Sequence, residues 1–201
     1  MNRKSAYIVL VVLALIVATW ACGESTPEVR VPEATPKPGE TQSATATERL
    51  ASTPTTAPPG SARSNPAPVG AEVTIDDMTM KIIEVTRPAD DIVAAGNMFN
   101  ATPEPGNEYI MVTISGVCNK SSDVTCQLNS YFDFKLTGSS GSVRDPEMMV
   151  AGVAGLLETA EFFGGVTVTG GMIFEVAQDE TDLILIYEPL LGMSKAYLAV
   201  Q

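Results

Sequence analysis

Residues 109–118 read YIMVTISGVC, and the architecture follows from their alternation. Ile110, Val112 and Ile114 occupy every second position, with Met111, Thr113 and Ser115 between them. A period of two sends successive side chains to opposite faces of an extended chain, which makes one face apolar and the other mixed. A helix would need apolar residues at three- and four-residue spacings instead.

The same period recurs on both sides of this stretch. Val73 and Ile75 point one way, and Asp76-Asp77 reads as a tight turn. In MTMKIIEVT, Met78, Met80 and Ile82 are in phase, then the phase slips to Ile83 and Val85, the mark of a β-bulge. YFDFKL sets Phe132, Phe134 and Leu136 against Asp133 and Lys135. VTVTGGMIFEV places Val166, Val168, Met172, Phe174 and Val176 on one face, and its paired glycines read as turn and bulge positions flanking a strand. DLILIYEP is continuously apolar, as a more buried strand requires, and KAYLAV closes the chain. Seven or eight short strands with turn signals between them, and no long amphipathic helix, predict an all-β antiparallel sandwich over residues 69–201.

The segments before it are of another kind. Arg3 and Lys4 precede an uncharged run over residues 6–22 that ends in small residues, the three-part pattern of a secretion signal. An uncleaved membrane anchor is the alternative, since about 17 apolar residues is the lower limit for crossing a bilayer. Ala21, Cys22 and Gly23 resemble a bacterial lipobox, whereas Thr19 stands where an aliphatic residue is usual and Trp20 is bulky for its place. That resemblance implies lipid on Cys22 and a first segment of residues 1–22. Under either reading the rest of the chain lies outside the cytoplasm, held to the membrane. Residues 23–68 are rich in Pro, Thr, Ser and Ala and contain no aromatic residue. Such a segment buries too little apolar surface to offset its ordering entropy, so it reads as a disordered, semi-stiff tether.

With Cys22 assigned to lipid, Cys118 and Cys126 remain as an even pair in an exported domain. Two thiolates without histidine make a poor zinc site, and their spacing is not that of a C-x-x-C redox motif. In an oxidising compartment a disulfide is the default.

Five stretches then carry a family resemblance: PVGAEVTIDDMTMKIIEV, NEYIMVTISGVCNKSSD, YFDFKLTGSSG, GGVTVTGGMIFEV and LILIYEP. In this order they resemble the bacterial domain of unknown function 4352, over essentially residues 69–201. The resemblance implies an immunoglobulin-like sandwich on an exported lipoprotein and brings no assigned reaction. Proline often follows the FEV-like triplet in that family, where this chain has Ala177; the cysteine pair and the apolar segment 148–157 look particular to this chain.

The chain has no histidine, which removes Ser-His-Asp and Cys-His catalysis and His-ligated metals together. No G-x-S-x-G elbow, S-x-x-K dyad or phosphate-binding loop is present, so no catalytic residue is nominated and the chain is read as no enzyme. A small envelope hydrolase using carboxylates is the least favoured alternative. The formal net charge is −12, and from residue 69 onward 6 basic residues face 19 acidic ones. Such a domain is a poor partner for nucleic acid or anionic headgroups. Asp76, Asp77, Asp90, Asp91, Asp179, Glu180 and Asp182 sit at turns or strand ends and are candidate ligands for calcium, although none matches an EF-hand loop. The nine methionines read as core packing in preference to a copper(I) site.

Two segments are candidates for touching a partner. Residues 87–108 form a long loop for a compact sandwich. Residues 146–165 contain ten consecutive apolar or glycine positions, 148–157, without strand alternation. They read as a short helix or buried crossover; otherwise Met148, Met149, Val150, Leu156, Leu157, Phe162 and Phe163 form an exposed patch for a protein partner. The expectation is a membrane-tethered extracytoplasmic lipoprotein whose non-catalytic domain binds an envelope or extracellular partner, with a cation-binding module as the alternative.

Overall fold

The alternation of residues 109–118 is realised over a twelve-residue strand, Asn107–Cys118, whose Ile110, Val112 and Ile114 are all buried. The structure, a computed structural model, describes residues 28–30, 57–190 and 194–201. The signal segment 1–22, the lipidation site Cys22 and most of the tether 23–68 lie outside the described residues.

In chain order the described elements are β1 (Glu28–Arg30), β2 (Glu72–Ile75), β3 (Met78–Thr86), α1 (Asp90–Gly96), β4 (Asn107–Cys118) and β5 (Thr125–Leu128). They continue with β6 (Phe134–Thr137), β7 (Val143–Arg144), β8 (Ala160–Phe163), β9 (Thr167–Ala177), β10 (Ile184–Tyr187) and β11 (Ala196–Ala199). One sheet has the order β1-β2-β3-β4-β9, a second β11-β10-β6-β7, and β5 pairs with β8. The strand pairings within these sheets are antiparallel. The protein is an all-β antiparallel sandwich. Its core joins Val73, Met80 and Phe174 of the first sheet to Phe134, Leu136, Leu185 and Leu198 of the second. Each large side chain so buried contributes about 1.5–3 kcal/mol.

Local expectations meet this frame in detail. The Asp76-Asp77 turn joins Ile75 to Met78, with Asp76 at φ 50°, a left-handed conformation that Asp tolerates better than most residues. The register of β3 against β4 shifts between Ile82 and Glu84, so Ile83 is the bulged residue and stands 48% exposed. The bulge and Lys81 lie along the part of β3 that extends past β2, beside a groove of about 520 Å3 lined by Val69, Ile83, Val85 and Val200. Both are devices that discourage strand addition at an open edge. The run Leu183–Tyr187 is buried throughout, as its continuous apolarity requires.

Elsewhere the structure departs from the alternation. Phe132 is exposed and Asp133 buried, the reverse of their expected faces. The strand begins only at Phe134, because Asn129 Oδ1 accepts from the Tyr131 and Phe132 amides and Asp133 Oδ2 accepts from the Asn129 amide. These side-chain acceptors impose a turn that overrides the period. Val166 is likewise exposed, in the turn before β9. Gly170 and Gly171 lie inside β9, not beside it. A Cβ on Gly170 would come within 2.7 Å of the Leu157 Cα, so the glycines admit a neighbouring chain.

Residues 57–68, read in the sequence as the end of the tether, lie against the domain. The Ala67 amide donates to Tyr197 O at 2.8 Å, Ala199 N donates back to Ala67 O at 2.9 Å, and Ala67 is fully buried. Further back, Glu28–Arg30 pairs with β2. Backbone pairing needs no apolar side chain, so composition could not reveal either contact.

Two cross-links stand out in strength. Cys118 and Cys126 form a disulfide with a Cα–Cα distance of 5.7 Å, joining the end of β4 to β5. At the opposite end of β4, Arg87 Nε donates to Glu108 Oε1 at 2.6 Å, while Arg87 Nη1 and Nη2 donate to the carbonyls of Glu180, Ala177 and Gln178. Both side chains of the ion pair are largely shielded.

Replacing both cysteines by alanine is expected to lower stability by about 2–3 kcal/mol, the entropy of so short a loop, read as a shifted urea midpoint at unchanged slope. Arg87→Met should cost about 2–4 kcal/mol, because it strands the Glu108 carboxylate and leaves carbonyls without a donor. A loss below about 0.5 kcal/mol would show that water replaces the guanidinium at no cost.

Candidate functional site

A strand with two faces raises a problem wherever a second sheet covers only one of them. Tyr109 and Met111 on β4 and Ile173 on β9 point away from the main core. Two loops cover them. Ala89 and Val93, at the start of and within α1, join Tyr109 and Ile173 in a second buried cluster, against which Met111, Val150 and Leu156 pack.

The loops are held by polar ties. Asn100 Nδ2 donates to Val93 O at 2.7 Å and Ala151 O at 2.9 Å, and its Oδ1 accepts from the Ala151 amide at 2.9 Å. A Cβ on Gly152 would collide with the Gly96 carbonyl, so the two backbones touch. Residues 146–157 contain no helix and run beside the free edge of β9. Glu147 N donates to Ile173 O, Leu157 N to Gly171 O, and Gly171 N to Gly155 O, each at 2.8 Å. In place of the short helix or buried crossover expected there, residues 148–157 form an irregular strap of whose apolar side chains only Val153 and Leu157 are buried, since three backbone bonds to an open sheet edge are available only to an extended chain.

Covering the second cluster leaves other side chains in water. Met98 and Phe99 are each 86% exposed, Met148 62% and Met149 88%. They flank the seam that Asn100 ties. The turn beneath Phe99 is fixed by Asn97, whose Oδ1 accepts from the Phe99 amide at 2.9 Å.

The surroundings are anionic. Tyr109 titrates above its ordinary value, first because it is shielded from water, then because the carboxylates of Glu147, Glu175, Asp90 and Glu104 face it. Glu147 is also raised, by burial first and Glu175 second. Glu175 Oε1 accepts from the Glu104 amide and from Asn107 Nδ2. The sequence holds no Lys or Arg between residues 88 and 119 or between 145 and 194. Chemically, the arrangement offers apolar contact area inside a negative rim.

The candidate calcium ligands do not converge. Among the described residues, no three His, Cys, Asp or Glu side chains come together to hold a metal ion. Asp76 and Asp77 border a depression of about 180 Å3 at the disulfide end, with Asp77 3.8 Å from Lys120. Asp90 Oδ1 accepts from the Tyr109 amide at 2.7 Å, and Asp91 is exposed on α1. Glu180 is buried and accepts from Ser140 N at 2.7 Å, which lowers its pKa. Asp179 and Asp182 are exposed, the latter at φ 51°. Asp90 and Glu180 accept from backbone amides, Asp182 Oδ2 accepts from Thr181 Oγ1 at 3.3 Å, and Asp77 pairs with Lys120.

The apolar candidates are divided as well. Leu157 and Phe162 are in the main core, Leu156 is half-buried on the second cluster, and Phe163 is exposed on β8 at the disulfide end. Only Met148 and Met149 remain together at the loop seam. Met98, Phe99 and Asn100 fall within the 87–108 loop nominated as a whole; the signal for these three is an apolar pair between two asparagines.

Because the folded-state pKa of Glu147 lies above its unfolded value, the folded chain binds that proton more tightly. Its carboxylate therefore costs stability at neutral pH, and the cost disappears as pH falls through the raised pKa. Glu147→Gln should raise the thermal midpoint at pH 7 and converge with the parent near pH 4; parallel curves across that range would contradict the assignment.

Comparison with known proteins adds a family. The family model described as "Domain of unknown function (DUF4352)" matches residues 67–197. No curated protein matches the chain. Among solved structures, the yjhA protein from Bacillus subtilis is similar at 11% identity, with 67% of this chain and 98% of that one covered and a TM-score of 0.49. The secreted protein MPT63 from Mycobacterium tuberculosis is similar at 13% identity, 66% and 95% coverage and a TM-score of 0.48. A lipoprotein candidate from Bacillus subtilis, ycdA, gives 14% identity and a TM-score of 0.47, covering 64% of this chain and 38% of that one. The sandwich assignment rests on the strand pairing above, not on these likenesses.

Proposed function

This chain belongs to the family described as a domain of unknown function (DUF4352), and we propose that it acts outside the cytoplasm as a membrane-tethered, non-catalytic binding domain. In this reading lipid on Cys22 holds the chain to the membrane, the Pro/Thr/Ser/Ala-rich segment lifts the sandwich away, and the loops of residues 97–100 and 148–151 meet a protein of the envelope or its surroundings. One observation carries it: four large apolar side chains stand in water on loops that are otherwise tied down. Exposed apolar side chains grouped on a fixed frame and rimmed by charge are the usual mark of an interaction surface. The uncharged run at residues 6–22 and the disulfide both support an exported chain.

Photo-crosslinking amino acids placed at Met98 and Met149 on intact cells test the reading. Discrete crosslinked species are expected from both positions and not from Val143, which is 59% exposed on β7 of the other sheet. Equal labelling from all three positions, or none from any, would sink it. In the same cells Cys22→Ser should abolish incorporation of labelled fatty acid into the chain.

A further inference from the structure

The loop seam combines two properties that together specify a partner. Its apolar side chains are three methionines and one phenylalanine, Met98, Phe99, Met148 and Met149, all strongly exposed. Methionine is unbranched and polarizable, so it adapts to irregular apolar faces without one fixed fit. Its rim is negative, and among the described residues none of its carboxylates is paired with a lysine or arginine. Asp90 and Asp91 begin α1, and Glu104, Glu147 and Glu175 lie on the loops and strand beside it. Arg87 is taken by Glu108 and three carbonyls, and Arg144, four residues before Met148, belongs to β7 of the other sheet.

We propose that this seam docks a cationic amphipathic peptide segment, its apolar face on the methionines and Phe99 and its Lys or Arg residues on the surrounding carboxylates. The inference rests on the binding-domain reading above and adds the chemistry of the partner. Charge separates this occupant from the others. A second copy would bring one negative rim against another, and an anionic bilayer would meet the same repulsion. A cationic partner gains from the field of the whole rim, while the methionines select for an apolar face and against mere positive charge.

The full chain is captured through its N-terminal segment on a sensor surface and washed free of detergent. Four probes are passed over it: a Leu/Lys amphipathic peptide of about 18 residues, five helical turns; the same residues scrambled to destroy the apolar face; a Lys/Ser peptide of equal charge; and phosphatidylcholine vesicles. The amphipathic peptide should bind best and weaken as salt is raised. Phe99→Asp with Met149→Asp should reduce its affinity by about tenfold or more. Met98→Gln with Met148→Gln, which adds no charge, should reduce it in the same direction. Both pairs are exposed, so an unchanged thermal midpoint is expected.

Equal binding of the Lys/Ser peptide, or parental affinity in both variants, overturns the proposal by showing that acidity alone attracts the probe. Vesicle binding lost in the variants without any peptide preference assigns the seam to lipid and overturns it. Self-association in the ultracentrifuge that the same variants abolish assigns the seam to a second copy, with the same consequence. Site-specific crosslinks on cells with no peptide binding sink this chemistry alone, whereas peptide binding without crosslinks sinks the wider reading alone.

Discussion

A strand in the middle of a sheet has two faces, and β4 buries one along its length and has the other covered at Tyr109 and Met111. Ile110, Val112 and Ile114 face the second sheet in the main core, while Tyr109 and Met111 face outward, where no second sheet lies. Leaving Tyr109, Met111 and Ile173 in water would forgo several kcal/mol of apolar burial. The chain answers with two loops instead of another sheet. Nearly everything distinctive about the molecule follows from that cover: the placement of α1, the strap along β9, and the glycines that let the strap come close.

Cover made of loops is built differently from cover made of strands. A sheet satisfies its own backbone through the ladder, whereas a loop must find a partner for each buried amide and carbonyl. Here Asn100 supplies three such bonds, the edge of β9 accepts or donates three more, and Asp90 takes the Tyr109 amide. The geometry that satisfies the backbone also turns Met98, Phe99, Met148 and Met149 outward. The surface and the fold therefore have one cause.

The charges divide into structural and unspent ones. Lys120–Asp77 at 3.8 Å and Lys195–Glu188 at 2.7 Å are exposed pairs, worth no more than about 1 kcal/mol each. Arg87–Glu108 is shielded and tied to three carbonyls, so its removal costs much more than its formation gains. It joins the end of β3, the start of β4 and the turn after β9. Glu147, Glu175, Asp90 and Glu104 form no ion pair with a lysine or arginine among the described residues, and their negative charge raises Tyr109, and that of Glu175 raises Glu147, beyond the effect of burial.

Period, turn chemistry and composition made much of the fold legible. The strand cores, the Asp76-Asp77 turn, the bulge at Ile83 and the Cys118–Cys126 bridge were all readable, because each depends on residues near one another in the chain. The candidate site was much less so. Asp76, Asp90 and Glu180 look alike as turn acids, yet one borders a depression, one accepts the Tyr109 amide and one is buried against Ser140. Leu157 and Met149 look alike as members of one apolar run, yet one is in the core and the other in water. Alternation along a strand is a local property, enforced by sterics and solvent at every second residue. Which member of an irregular apolar run is buried depends on where a distant strand leaves an open edge, and that becomes defined only when the sheet has assembled.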